Sequence, residues 1–289
     1  MKKTIALLIA VVVLAGNLVA QTAGSWKDSR HSIYLGGGLN WLIGDFDRVD
    51  GGSKTLSPKL LKETSFSFDL GYKYKLTERF SLRFSVLYSK LTGDDTKSKD
   101  DAHKHRGLIM KSNSFDFGAN IDFYFIKEKE MADPTFWQRW SAYVFAGVGL
   151  MTYSPRWDGP TKGSVKNGDK LRDLHTETTD YNGVTMSVPL GLGLNCRIAK
   201  KVYVGLEWAL RLTASDHIDD LHGDYNFTTQ GAIDIAPQPL PAQGSMRGSG
   251  EHQDWYSTLL FHVGYKFGNG SNGSNGGGDI RFYNHPKYY

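Results

Sequence analysis

The sequence predicts an all-β fold: an eight-stranded antiparallel transmembrane barrel of the outer-membrane type, with long extracellular loops and short periplasmic turns. Three observations carry this. The chain opens on an export leader. Behind the leader lie eight segments in which apolar and polar residues alternate. The connections between those segments are long and short in turn, as a barrel crossing an outer membrane requires.

The leader comes first. Lys2-Lys3 precede an apolar run from Ile5 to Ala15, and Leu18-Val19-Ala20 places a small residue before a cut between Ala20 and Gln21. The apolar run is too short to span a bilayer with ease. Residues 1–20 are therefore a signal peptide and 21–31 a periplasmic N-terminal segment. The only cysteine is Cys196, which excludes an intrachain disulfide, a Cys-based zinc site and acylation of the new N-terminus. Across 289 residues there are 34 Lys and Arg against 30 Asp and Glu. Loss of Lys2 and Lys3 leaves 32 against 30, a balance that gives no electrostatic case for nucleic acid. No later apolar stretch approaches 20 residues, so only a barrel could hold the mature chain in a membrane. The 33 Gly, 15 Phe, 15 Tyr and 7 Trp fit β-structure with many turns.

The strands follow from period-2 alternation. The first, 32–43, is glycine-rich. In 64–76, Phe66, Phe68, Leu70, Tyr72 and Tyr74 alternate with Ser67, Asp69, Gly71 and Lys73. In 80–90, Leu82, Phe84, Val86 and Tyr88 alternate with Ser81, Arg83 and Ser85. In 113–126, Phe115, Phe117, Ile121 and Phe123 oppose Asp116, Gly118, Asn120 and Asp122. The fifth, 141–153, is again glycine-rich. Segment 184–198 sets Val188, Leu190, Leu192 and Leu194 against Ser187, Gly191, Gly193 and Asn195. Segment 202–212 sets Leu206, Trp208 and Leu210 against Gly205, Glu207 and Arg211. The last, 255–267, sets Leu259, Phe261, Val263, Tyr265 and Phe267 against Thr258, His262, Gly264 and Lys266. The barrel domain is thus 32–267.

Residues 45–63, 93–111, 154–183 and 213–254 are long and polar, whereas 77–79 and 199–201 are tight turns and 127–139 is intermediate. An even strand count puts both termini in the periplasm and the chain in the outer membrane. A soluble sheet would not keep Phe, Tyr and Trp on its solvent face; those faces belong against outer-membrane lipids. An interior this narrow is just wide enough for side chains to fill. The inward set Asp69, Lys73, Arg83, Asp116, Asn120, Asp122, Glu207, Arg211, His262 and Lys266 should pair internally and plug the lumen.

Ser187-Val188-Pro189-Leu190-Gly191-Leu192-Gly193, then Val204-Gly205-Leu206-Glu207-Trp208-Ala209-Leu210-Arg211, then Asp216-His217-Ile218-Asp219-Asp220-Leu221-His222, and last Asp254-Trp255-Tyr256-Ser257 form an ordered series. Over 187–268 this series resembles the PorG-like outer-membrane barrels of the Bacteroidetes type IX secretion system, with their IPxG(x)G, GxEWxxR, TDYLDDVS and NDWYS segments. His217-Ile218 stands where Tyr-Leu is usual, and Leu221-His222 replaces Val-Ser. The resemblance implies a non-enzymatic barrel that binds a periplasmic ring built from a lipoprotein and its partner. A surface adhesin, acting on a host through the extracellular loops, is the alternative.

Two loop clusters are weighed for metals. Asp94–His105 mixes carboxylates and imidazoles, but interspersed Lys and Arg favour a solvated loop. Asp216, His217, Asp219, Asp220, His222 and Asp224 hold more ligands and no Lys, and a structural cap over the barrel mouth is the better expectation. No catalytic residue, cofactor or metal is expected. The outward positions of the six clear strands are read as holding no His and no Ser, which leaves no outward Ser–His pair of the kind a lipid hydrolase would need. His262 points inward and is expected to bond a lumen carboxylate. The Gly/Ser/Asn run 268–278 is a flexible linker leading to a periplasmic C-terminal peptide, 279–289. Candidate partner contacts are Trp137, Cys196, Lys200, Lys201, Phe282 and Tyr283. Cys196 is also the one candidate for an intermolecular disulfide.

Overall fold

The computed structural model describes residues 29–43, 64–97, 101–127, 136–199, 201–248 and 253–267. The leader, the linker, the C-terminal peptide, Lys200, Phe282 and Tyr283 lie outside the described residues. Eight strands follow in chain order: β1 (His31–Ile43), β2 (Ser65–Lys75), β3 (Phe80–Asp94), β4 (Ile109–Ile126), β5 (Trp140–Trp157), β6 (Val184–Arg197), β7 (Val202–Thr213) and β8 (Trp255–Phe267). Each is antiparallel to its neighbours, and β1 pairs with β8 over His31–Ile43, so the sheet closes as a barrel. Closure satisfies the backbone without a free edge. Two short helices, α1 (Asp101–Arg106) and α2 (Gln230–Ile235), belong to loops.

The connections divide by end. Residues 76–79, 127–139 and 198–201 join strands at one end; 44–64, 95–108, 158–183 and 214–254 join them at the other. Short turns need local closure. The Thr77 hydroxyl oxygen accepts from the N–H groups of Arg79 and Phe80 at 3.2 and 3.0 Å. At the other tight turn, the N–H groups of Ile198 and Ala199 both donate to the Val202 carbonyl, at 3.0 and 3.1 Å.

Alternation decides which face is which. Leu35, Leu70, Leu192 and Phe261 point outward and are more than half exposed, whereas Asp69, Arg83, Asp122 and Glu207 point inward and are buried. A water-soluble barrel would reverse this. An apolar outer band around a charged interior is the arrangement of a membrane-spanning barrel. Among the described residues no helix is long and apolar enough to cross a membrane.

Three strands run further than alternation predicts. β3 reaches Asp94, β4 begins at Ile109 and β5 ends at Trp157, making strands of 15, 18 and 18 residues. Their extra length lies at the long-loop end, beyond the 9–11 residues or so that a crossing requires. There the pattern inverts. Leu91, Met110, Tyr153 and Trp157 turn inward and are buried, and the outward positions carry Lys90, Thr92, Lys111, Ser154 and Arg156.

Candidate functional site in the barrel lumen and at its mouth

The nine charged residues expected in the lumen, and Asn120 with them, are all buried inside the barrel. The set forms two polar layers. In the first, nearer the short turns, Arg83 Nη1 lies 2.5 Å from Glu207 Oε2 and its Nε lies 3.1 Å from Asp122 Oδ1. Lys73 Nζ lies 3.1 Å from Asp122 Oδ2 and 4.3 Å from the centre of the Tyr143 ring. Tyr143 donates to Glu207 at 2.7 Å, and Tyr34 donates to Asp69 at 3.0 Å. In the second layer Asp116 accepts from Arg211 at 2.8 Å, from Ser187 at 2.8 Å and from Tyr256 at 3.2 Å. Buried charges persist only when paired and hydrogen-bonded in this way.

Glycines make room for these rings. A methyl group at Gly193 would run into the Tyr143 ring, one at Gly71 into Tyr34, and one at Gly264 into Tyr203. The glycine-rich phase of the strands is thus the floor on which the lumen tyrosines lie.

Two expectations need correction. His262 does not meet a carboxylate; its Nε2 is 2.8 Å from the Asn195 amide oxygen. A neutral amide suffices for an imidazole held among cations, and Glu207 is taken by Arg83 and Tyr143. Nor is the outward face free of serine: Ser257 shares the parity of Leu259 and Phe261. It is buried, and its hydroxyl donates to the Ala209 carbonyl at 3.1 Å, which leaves it engaged as a structural group.

The polar plug also stops short of the mouth. Leu42, Leu87, Leu91, Met110, Met151, Tyr256 and Leu260 form an apolar layer above it, continuous with loop residues Val165, Leu171, Ile218, Leu221 and Ile235. The loops fold down onto this layer as a cap. Sequence reasoning missed it because these strand residues share the inward parity with the charges.

A polar clasp ties the cap together. Arg247 pairs with Glu177 at 3.0 Å and with Asp220 at 3.1 Å, and it also donates to the Asp220 carbonyl. Asp220 accepts further from Thr176 and Tyr181, each at 2.8 Å. Glu177 accepts the N–H groups of His222 and Gly223, and Asp254 those of Ile218 and Asp219. Arg106 pairs with Asp95 through two bonds of 2.7 and 2.8 Å and donates to the Arg247 carbonyl at 3.0 Å. Burial pushes the Glu177 carboxyl up, with Arg247 opposing. His217 stacks on Tyr181 at 4.7 Å and meets His222 at 4.4 Å; burial and then His222 hold its pKa down. Among the described residues of the two loop clusters, the carboxylates of Asp94, Asp95, Asp101, Asp216, Asp219 and Asp220 are engaged in turns and ion pairs. Among the described residues, no group of three or more His, Cys, Asp or Glu is placed to hold a metal.

The short-turn end carries the partner candidates that can be described. Trp137 is 80% exposed in the turn before β5. Cys196 is half-buried, on the outward parity of β6, with Trp140 and Val204 as its cross-strand neighbours. Lys201 is exposed. Lys266 is buried, with its ammonium 5.8 Å from the Tyr203 ring.

The fold and this arrangement define a membrane-spanning eight-stranded barrel with a charge-paired lumen and a capped mouth. The chain belongs to the family described as Domain of unknown function (DUF6089), whose model matches residues 8–272. No curated protein matches it. It is similar to Neisserial surface protein A (10% identity, TM-score 0.41, 83% of this chain and 98% of that one). It is also similar to Ail of Yersinia pestis crystallised with the heparin analogue sucrose octasulfate (12%, 0.40, 83% and 99%). A third is OprG of Pseudomonas aeruginosa (8%, 0.41, 83% and 97%).

Proposed function

We propose that this barrel is a non-enzymatic anchor of the type IX protein secretion system. In this reading it sits in the outer membrane with both termini in the periplasm. It fastens there a periplasmic ring of a lipoprotein and its partner. The observation that carries the reading is the motif series on β6, β7 and β8. Its inward residues help build the barrel's interior. Gly193 receives Tyr143, Glu207 binds Arg83, Arg211 and Tyr256 both bind Asp116, and Asp254 caps the loop that contains Asp219 and Asp220.

A shared sequence that specifies plug and cap suits a scaffold whose interior must not yield. Contact with the ring is assigned to the short-turn end, through Trp137, Cys196, Lys200, Lys201 and the tail peptide with Phe282 and Tyr283. A large exposed aromatic is a typical anchor of a protein interface. The test is affinity purification of the tagged protein from detergent-solubilised outer membranes. Co-purification of a lipoprotein ring subunit supports the anchor. Recovery of the barrel alone, with the intact cells binding host cells through it, overturns the anchor in favour of an adhesin.

A further inference from the structure

The inverted upper ends of β3, β4 and β5 place charge on the outside of the barrel just past the apolar band. Tyr88, Phe66 and Phe115 form an aromatic cluster there, with ring centres 6.4 and 5.2 Å apart in the pairs Phe66–Tyr88 and Tyr88–Phe115. Aromatic girdles mark the boundary between acyl chains and headgroups. Tyr88 donates its hydroxyl hydrogen to Asn113 at 3.1 Å, pointing away from the apolar band.

Two residues beyond Tyr88, about 7 Å along the strand, stands Lys90, opposite Asn113. Lys111 is the next outward residue on β4, directly opposite Arg156 of β5, and Arg156 bridges to Lys170 of the following hairpin. Lys166 is exposed in that hairpin. The carboxylates beside this strip, Asp94, Asp158 and Asp169, are fewer than its five cations, and each accepts a local hydrogen bond. Asp158 accepts from Lys111 at 2.6 Å and from Asn167 at 3.2 Å. Asp169 accepts the Lys166 N–H at 2.7 Å. Arg156 is braced by a 2.8 Å bond to the Gly168 carbonyl. Among the described residues the opposite side of the barrel carries no such rim: at the same end, β7, β8 and β1 turn Leu212, Trp255, Trp41 and Ile43 outward.

We propose that this one-sided basic rim, Lys90, Lys111, Arg156, Lys166 and Lys170, binds the phosphate groups of a phosphorylated glycolipid in the outer leaflet, of the lipid A kind. The aromatic cluster below would pack on the acyl chains and the rim would reach the phosphates at headgroup level. Strand register fixes Lys111 and Arg156 opposite each other, Lys90 stands one outward step nearer the aromatic cluster, and each cation near an anionic surface is worth several-fold in affinity. The inference rests on the long-loop end being extracellular, and does not require the ring partner.

The test uses the protein purified from membranes and placed in phosphatidylcholine nanodiscs. Bisphosphorylated hexa-acyl lipid A is titrated in, and bound lipid is read by native mass spectrometry. The triple variant Lys90→Gln/Lys166→Gln/Lys170→Gln leaves the Lys111–Asp158 and Arg156–Gly168 bonds in place. It should bind at least about tenfold more weakly, and dephosphorylated lipid A should bind the wild type as weakly. Equal binding by the variant, or by the dephosphorylated lipid, overturns the proposal. Orientation is read separately, by labelling Lys166→Cys in a Cys196→Ser background with a membrane-impermeant maleimide. Labelling on intact cells supports the outer-leaflet assignment; labelling only after lysis overturns it. Failure to recover a ring subunit would sink the anchor and leave this result standing.

Discussion

Arg83 and Glu207 meet at 2.5 Å across the full width of the lumen. They stand on β3 and β7, four strands apart in a closed ring of eight, so they come from opposite walls. Asp122 joins Arg83 from β4, and Lys73 joins Asp122 from β2. A bond that spans the barrel both staples the walls and obstructs the passage between them.

Removing one partner should therefore cost more than removing both. Glu207→Leu leaves the Arg83 charge buried with only Asp122 beside it, and breaking a buried pair this way costs about 3–5 kcal/mol. The double variant Arg83→Met/Glu207→Leu should recover a large part of that loss. The temperature at which the folded band disappears in heat-modifiability gels reads the order. A double variant no better than Glu207→Leu would contradict it.

Gly193→Ala should destabilise the barrel by about 1–3 kcal/mol, the usual cost of overpacking, because the new methyl meets a Tyr143 ring pinned by Glu207. Gly37→Ala is the control. There the nearest atom is a Phe68 ring carbon at 3.5 Å, an ordinary contact. Unfolding in urea of refolded protein separates the two, and equal midpoints would refute the ring-on-glycine packing.

The cap should loosen in mild acid. His217 has a pKa lowered in the folded state, so the open state takes up the proton first. Its contribution is complete above the ordinary histidine value of about 6.5 and is lost as pH falls through the lowered folded value. Glu177, raised by burial, works the other way: it favours the closed cap as pH falls toward the ordinary carboxylate range. Hydrogen-exchange protection of the Ile218 and Asp219 amides, which donate to Asp254, measured in Glu177→Gln to remove the opposing slope, should fall below about pH 6.5. His217→Phe should abolish that dependence; an unchanged profile would contradict the assignment.

The strands, their closure and the inward charges were legible because a lipid-facing strand must be apolar on every second residue, as Phe66, Phe68 and Leu70 are. What escaped was the level at which that rule ends. Above Tyr88 the outside is water and headgroups, so Lys90 and Lys111 turn outward while Leu91 and Met110 turn inward. Alternation persists with its sense reversed, which reads as loop. The cap was hidden for a related reason. Arg247 lies 70 residues from Glu177, and no local spacing announces such a pair. His262 was misassigned because parity shows where a side chain points and not what it meets.

Cys196 sits on the short-turn rim, half-buried and outward. A non-reducing gel of cells lysed with a thiol trap should show a slow adduct that collapses on reduction and is absent in Cys196→Ser, if a partner thiol comes within the roughly 7 Å Cα separation that a disulfide permits. A monomer band alone would make the residue a lipid-band bystander.

The central claim is that this barrel is a stapled scaffold rather than a conduit, and conductance tests it most directly. Purified protein incorporated in planar bilayers should give no steady channel, because Arg83, Glu207, Asp122 and Lys73 pair across the lumen and the cap closes the mouth. Stable openings of porin size in the wild-type protein would contradict the account.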